Sequence, residues 1–145
     1  MPETREALLK PEGRRFGQQL LVWGALLIPA HFAVIIWHLT LLVKVQPDFP
    51  RNGIVALILI NLVTVAGLVA FAKGLPKSGA TMIVIPLGVA LFIGTYTHFL
   101  SAGSDNVLRM PATGLTLAFQ VSAALLTVLE ALGCWVGVRM FLSSP

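Results

Sequence analysis

Long stretches without any Asp, Glu, Lys or Arg constrain this chain more than any other feature of its sequence. The first runs from Leu20 to Val43. A bilayer core of about 30 Å needs about 20 predominantly apolar residues in helical form to span it. Segments of sufficient length lie at about residues 18–44, 54–72, 79–100 and 113–141. We therefore expect an all-α integral membrane protein with four transmembrane helices.

The composition supports this class of protein. Of the 145 residues, 57% are hydrophobic and 11% are charged. Soluble domains carry about 25% charged residues, so this chain lacks the polar side chains that a water-exposed surface needs. The length predicts a single domain, residues 1–145, with a short polar segment at residues 1–16 before the first span. The lone Cys134 excludes an internal disulfide and a CxxC redox pair.

Turn-forming residues separate the predicted spans. Residues 46–53 carry two prolines, an asparagine and a glycine, and residues 74–78 carry glycine, proline and serine. A longer loop follows the third span and closes with Met110 and Pro111. Short connections favour antiparallel packing of consecutive helices, so we expect an up-down-up-down bundle.

Lysine and arginine are divided unequally between the two ends of the predicted spans. One side carries seven of them, which are Arg5, Lys10, Arg14, Arg15, Lys73, Lys77 and Arg139. The other side carries three, which are Lys44, Arg51 and Arg109. The positive-inside rule predicts that both termini lie on the cytoplasmic side of a cytoplasmic membrane. The scattered basic residues fit topology signals and lipid contacts, and a nucleic-acid partner is not expected.

The candidate functional residues are polar side chains inside the predicted spans, because such residues usually face the bundle interior. On the first span, residues spaced by seven share one helix face, namely Gly17, Gly24, His31 and His38. On the fourth span a polar stripe contains Thr116, Gln120, Thr127 and Glu130. Ser122 lies off this stripe and is assigned to contacts between small residues.

The positions of these residues along the spans, at about 1.5 Å per residue, sort them into two layers. A layer near the membrane midplane contains His31, Glu130 and Asn61. A second layer near the outer surface contains His38, His98 and Gln120, beneath the loop that carries Asp105. We expect a pair His31–Glu130 in the first layer and a pair His38–His98 in the second.

Two cofactor hypotheses use the second layer. In a b-type haem protein, His38 and His98 would supply the axial ligands, with Gly24 and Gln120 in the cofactor-binding face. In a site for a divalent metal ion or a quinone, His38 and His98 would act together with Asp105, since histidine with carboxylate suits zinc, iron or copper. Haem or quinone binding would make the chain a membrane redox or electron-transfer protein.

The first layer has its own interpretation. His31 and Glu130 would serve as a proton relay if copies of the chain assembled into a proton-coupled carrier. The simplest alternative is that all these polar residues only fix helix packing and register. The sequence contains no Ser-His-Asp set, no phosphate-binding glycine loop and no carboxylate cluster, so an enzyme is not expected.

The sequence favours a small helical subunit or accessory protein of a larger cytoplasmic-membrane complex. The chain has little extramembrane mass with which to bind soluble partners. Small residues four apart, such as Gly133 with Gly137 and Ala90 with Gly94, are typical of helix contacts in membranes. The expected partners are membrane lipids together with other membrane subunits or a second copy of the chain.

Overall fold

The computed structural model describes residues 11–47 and 51–144, and the side chains of residues 17–47 and 53–144. All regular structure in these residues is helical, with four long helices: α1 (Pro11–Val45), α2 (Arg51–Ala72), α3 (Pro76–Thr95) and α4 (Gly114–Leu142). A π-helical segment, Tyr96–Leu100, continues α3, and a short 3-10 helix, Val107–Arg109, lies in the loop before α4. Of the expected polar segment 1–16, residues 1–10 lie outside the described part and residues 11–16 belong to α1.

All four helices are long and apolar enough to cross a membrane, with spans Gly17–Val45, Gly53–Ala72, Pro76–Leu100 and Gly114–Leu142. These bounds agree with the predicted segments to within three residues. In the most apolar part of each span, only 17–39% of the residues are buried within the protein. The remaining surface is mostly apolar, as a multi-pass membrane protein requires where it faces lipid.

The four helices form a bundle in which one neighbouring pair makes much less contact than the others. α4 packs closely against α1 and α3, and α3 packs closely against α2. By contrast, α1 and α2 contact each other over a much smaller area. α2 is therefore held mainly by α3, and its other flank is only partly covered by α1.

The contact between α2 and α3 is closest beside the turn that joins them, where Gly74 adopts a φ of 85°. A Cβ placed on Gly79 would stand 2.5 Å from the backbone nitrogen of Phe71 and 2.6 Å from the carbonyl oxygen of Gly67. The two backbones therefore touch directly at this end of the bundle. At the other end of α2, none of residues 53–60 is buried.

The small residues of α4 contact a neighbouring helix within the bundle. A Cβ on Gly133 would stand 2.5 Å from Leu87 Cδ1, and one on Gly137 would stand 2.7 Å from Val84 Cγ2. α3 therefore packs its larger side chains onto the glycine face of α4. This pairing of glycine with bulky side chains brings the helices close enough for strong dispersion contacts in lipid.

Two apolar clusters lie on either side of the polar layers. The first contains Leu20, Ile28, Ala80, Ile83, Leu87, Val136 and Met140. The second contains Leu41, Leu42, Val107, Phe119 and Ala123. We call the end of the bundle that holds the second cluster the loop end, because the loop between α3 and α4 covers it.

That loop, residues 101–113, is fixed in place by side-chain amides. Asn106 is buried, donates to the carbonyl oxygen of Ser101 at 2.6 Å and accepts from the N–H of Leu108 at 3.0 Å. Gln120 of α4 donates to the carbonyl oxygens of Val107 and Met110, both at 2.9 Å. The loop is therefore a structured cap over the loop end of the bundle.

The glycine contact between α2 and α3 generates a stability prediction. We expect Gly79→Ala to lower the free energy of unfolding by about 1–3 kcal/mol, because its new methyl group would collide with the backbone of α2. Gly88→Ala, in the same helix, is the matched control, since its Cβ would meet only Cys134 Sγ at 3.9 Å. Denaturation in mixed micelles measures both variants, and an equal loss in the two would contradict this account of the contact.

Candidate functional site

A cavity of about 270 Å³ lies among all four helices at the loop end. Its wall contains parts of residues 35–42 of α1, 53–60 of α2, 90–98 of α3 and its π-helical continuation, and 123–130 of α4. Most of the lining is apolar. The polar or ionisable side chains that line it are His38, Thr97, His98, Asp105, Thr127 and Glu130.

The cavity exists because α2 covers it incompletely. α2 is tied to α3 at the opposite end, and its first turns contribute the cavity-lining residues Gly53, Ala56, Leu57 and Ile60 without burying any of them. Because α1 and α2 meet over a small area, no close side-chain packing fills the space between them.

Two imidazoles stand together in the cavity wall. The ring centroids of His38 and His98 are 5.1 Å apart and the ring planes meet at 75°, an edge-to-face contact. Phe119, which is fully buried, stacks on His38 with a centroid distance of 4.6 Å and meets His98 edge to face at 5.6 Å. The structure thus brings together the two histidines that were expected to pair.

The hydrogen bonds of these rings favour one tautomer of each. Ser122 has a single hydroxyl proton, which it donates to the carbonyl oxygen of Phe119 at 2.8 Å. With that proton so placed, His38 Nδ1 is the donor in its contact with Ser122 at 2.9 Å. His98 Nδ1 lies 3.2 Å from the carbonyl oxygen of Asp105, which can only accept. In both neutral imidazoles Nδ1 carries the proton and Nε2 is left as an acceptor.

Sequence reasoning missed three contributors to this arrangement. Ser122 was assigned to small-residue packing, yet it is fully buried and orients His38. Phe119 carries no sequence signal that separates it from other apolar residues of its span. The π-helical segment that carries His98, closed by the bond from Ser101 N–H to the Tyr96 carbonyl at 2.7 Å, is a departure from α-geometry that hydropathy does not detect.

The second expected pair also meets. His31 Nε2 lies 3.5 Å from Glu130 Oε1, and both side chains are buried. The other carboxylate oxygen, Oε2, lies beside Gly94, 3.7 Å from where a Cβ would stand. Asn61, which was expected in the same layer, is buried but donates to the carbonyl oxygen of Leu57 in its own helix at 2.8 Å. Glu130 alone of these three lines the cavity.

Two residues expected to bind a cofactor have structural contacts instead. A Cβ on Gly24 would stand 2.8 Å from Leu68 Cδ1, so this glycine admits close packing of α1 against α2. Gln120 uses its amide to hold the capping loop at Val107 and Met110. Neither residue lines the cavity.

The observed geometry fits the haem, metal and quinone sites expected from the sequence to different degrees. His38 and His98 touch directly, so a porphyrin would enter between them only if the rings separated. Asp105 lines the cavity but meets His98 through its backbone oxygen. Within residues 11–47 and 51–144, no group of three or more His, Cys, Asp or Glu side chains is placed to hold a metal ion.

Comparison of the chain with protein-family models, with curated proteins and with solved structures finds no match. The function is therefore inferred from the residues and geometry of this chain alone.

The orientation of His38 by Ser122 can be tested by truncation. Ser122→Ala should lower the free energy of unfolding by about 1–3 kcal/mol, because the buried Nδ1–H of His38 would lose its acceptor. Ser143→Ala serves as the control, since that hydroxyl donates to the Met140 carbonyl at the end of α4. Chemical denaturation in detergent measures both, and a loss in Ser122→Ala no greater than in the control would show that this bond does not stabilise the fold.

Substitutions of His31 and Glu130 should have non-additive effects on the free energy of unfolding. Each single change, His31→Leu or Glu130→Leu, leaves one buried polar group without its partner and should destabilise by about 1–3 kcal/mol. The double variant should be more stable than either single variant, since a buried pair can be replaced by apolar side chains with little loss. A double-mutant cycle measures this coupling, and simple addition of the two losses would argue against the pair.

Proposed function

We propose that this protein binds a small lipophilic molecule inside the membrane, and that the cavity at the loop end is the binding site. The observation that carries the proposal is the lining of that cavity, which is apolar except for a few polar side chains. Ligand sites in proteins have this composition, because apolar walls supply affinity and a few polar groups fix orientation. A quinone site near His38 and His98 is one member of this class.

The polar lining also separates this cavity from a simple packing defect. An empty space of this size in a protein core would reduce stability by on the order of several kcal/mol. A packing defect in a transmembrane bundle would have apolar walls, since a polar side chain facing an empty space loses its hydrogen bonds. Here His38, His98 and Glu130 are each held by a protein partner on one side and border the cavity.

The ligand would enter from the lipid between α1 and α2. These two helices make the smallest contact of any neighbouring pair, and residues 53–60 of α2 are not buried. An alkyl tail could leave the cavity by the same route, while the polar group stays beside the imidazoles. Entry through the capping loop is less favourable, because Asn106 and Gln120 hold that loop in place.

The proposal includes the topology expected from the sequence. The end of α1, the start of α2, the end of α3 and the middle of α4 all border one cavity, which supports alternating directions for α1, α2 and α3. With both termini in the cytoplasm, as the lysine and arginine count predicts, the cavity lies in the outer half of the membrane.

A role as a subunit of a larger membrane complex is compatible with ligand binding, and the chain would then be the subunit that holds a lipophilic molecule. The glycines that favoured external helix contacts pack within the bundle, so a partner would meet the apolar lipid-facing surface instead. Proton-coupled transport would place Glu130 in the wall of the ligand cavity with His31 behind it.

Blocking the cavity tests the proposal. Ala56 of α2 lines the cavity and is exposed, so Ala56→Trp should fill the space without disturbing a packed contact. Binding of decyl-substituted hydroquinone, decyl-substituted quinone and decylammonium to protein in lipid nanodiscs is measured by equilibrium dialysis. We expect at least one probe to bind, and its affinity to fall by at least about tenfold in Ala56→Trp.

Ala66→Trp is the matched control, because Ala66 is exposed on the same helix and does not line the cavity. Its affinity for the probe should equal that of the unchanged protein. If no probe binds, or if Ala56→Trp binds as tightly as Ala66→Trp, the cavity is not a ligand site.

A further inference from the structure

The threonine hydroxyls in the cavity wall use their protons in hydrogen bonds within their own helices. Thr127 donates to the carbonyl oxygen of Ala123 at 3.1 Å, and Thr97 donates to that of Ile93 at 2.9 Å. Each hydroxyl has one proton, so its remaining capacity is that of an acceptor. Both side chains line the cavity.

The imidazoles are acceptors for the same reason. His38 and His98 donate their Nδ1–H groups to Ser122 and to the Asp105 carbonyl, respectively. In the neutral ring the second nitrogen, Nε2, has only a lone pair. Protein groups that hold one nitrogen of an imidazole in this way fix which nitrogen remains for a bound partner.

The carboxylate of Glu130 is also a hydrogen-bond acceptor, but for a different reason. When Glu130 is ionised neither oxygen carries a proton, and Oε1 is the acceptor in the 3.5 Å contact with His31 Nε2. The other oxygen, Oε2, beside Gly94, is then an acceptor. Asp105, whose Oδ1 accepts from the Ser104 hydroxyl at 3.0 Å, adds a second carboxyl to the lining.

The described side chains that line the cavity include no Lys, Arg, Asn, Gln, Trp or Tyr. Every polar group on those side chains therefore presents an acceptor when the imidazoles are neutral and the carboxyls are ionised. Among these side chains a ligand carbonyl would meet only lone pairs and would leave the acceptors unpaired. A hydroxyl or an ammonium group would pair with them, and an ammonium group would also be attracted by the carboxyls.

We infer that the ligand held in this cavity is a hydrogen-bond donor, a lipophilic molecule whose polar group is a hydroxyl or a protonated amine. This inference rests on the proposed function, because it assigns the chemistry of the molecule that the cavity binds. Among quinone-type molecules it selects the reduced hydroquinone over the oxidised quinone.

Matched probes test the inference directly. Decyl hydroquinone and decyl quinone have the same ring and chain and differ by the two hydroxyl protons. The dimethyl ether of the hydroquinone removes those protons without a redox change. Measured without oxygen in nanodiscs, the hydroquinone should bind at least about tenfold more tightly than the quinone and the ether. Decylammonium is the second type of probe. If it binds more tightly than the hydroquinone, a protonated amine is the preferred donor.

Two variants change the acceptors themselves. Glu130→Gln keeps the shape of the side chain but brings an N–H₂ donor, so the preference for hydroquinone over quinone should shrink. Thr127→Val removes one acceptor and should weaken hydroquinone binding by about three- to tenfold. Thr81→Val is the control, because Thr81 makes the same kind of bond, to the Lys77 carbonyl at 2.9 Å, and does not line the cavity.

The outcomes distinguish this inference from the proposal on which it rests. If quinone binds as tightly as hydroquinone and Ala56→Trp abolishes both, the cavity is a ligand site and the donor inference is wrong. Such a result would direct attention to a backbone donor, such as the N–H of Gly53 in the first turn of α2. If no probe binds in the cavity, the proposed function fails and the inference falls with it.

Discussion

Inside a bilayer no water is present to satisfy a buried polar group, so each one must find a partner within the protein. Two such contacts join α1 to α4: His31 with Glu130, and His38 with Ser122. The first members lie seven residues apart on α1, and the second members lie eight apart on α4. Polar contacts two turns apart fix both the rotation and the axial position of one helix against the other. α3 packs onto α4, and α2 packs onto α3.

Packing density changes along the bundle, and the cavity follows from that change. Near the turn between α2 and α3, Gly67 and Gly79 allow the two backbones to touch. At the loop end α2 has no such contact and buries none of residues 53–60. A helix held firmly at one end leaves space at the other, and the polar layers of α1, α3 and α4 border that space. Close helix packing and the cavity therefore lie at opposite ends of α2.

The capping loop covers the cavity and also supplies a hydrogen-bond acceptor to a side chain in the cavity wall. Gln120 and Asn106 hold the loop, which in turn places the Asp105 carbonyl against His98. The orientation of one imidazole thus depends on a loop outside the apolar span, and that of the other depends on Ser122 within α4. The fold therefore holds each ring through its Nδ1 atom.

The sequence by itself determined the four spans to within three residues, because hydropathy depends on composition and not on how helices are rotated. It also predicted both polar pairs, since seven-residue spacing defines a helix face and position along a span defines depth. Periodicity does not say which neighbour each face meets. Only the tertiary structure decided that Gly24 admits Leu68, that Gln120 holds a loop and that Ser122 orients His38, because these roles depend on the packing of separate helices.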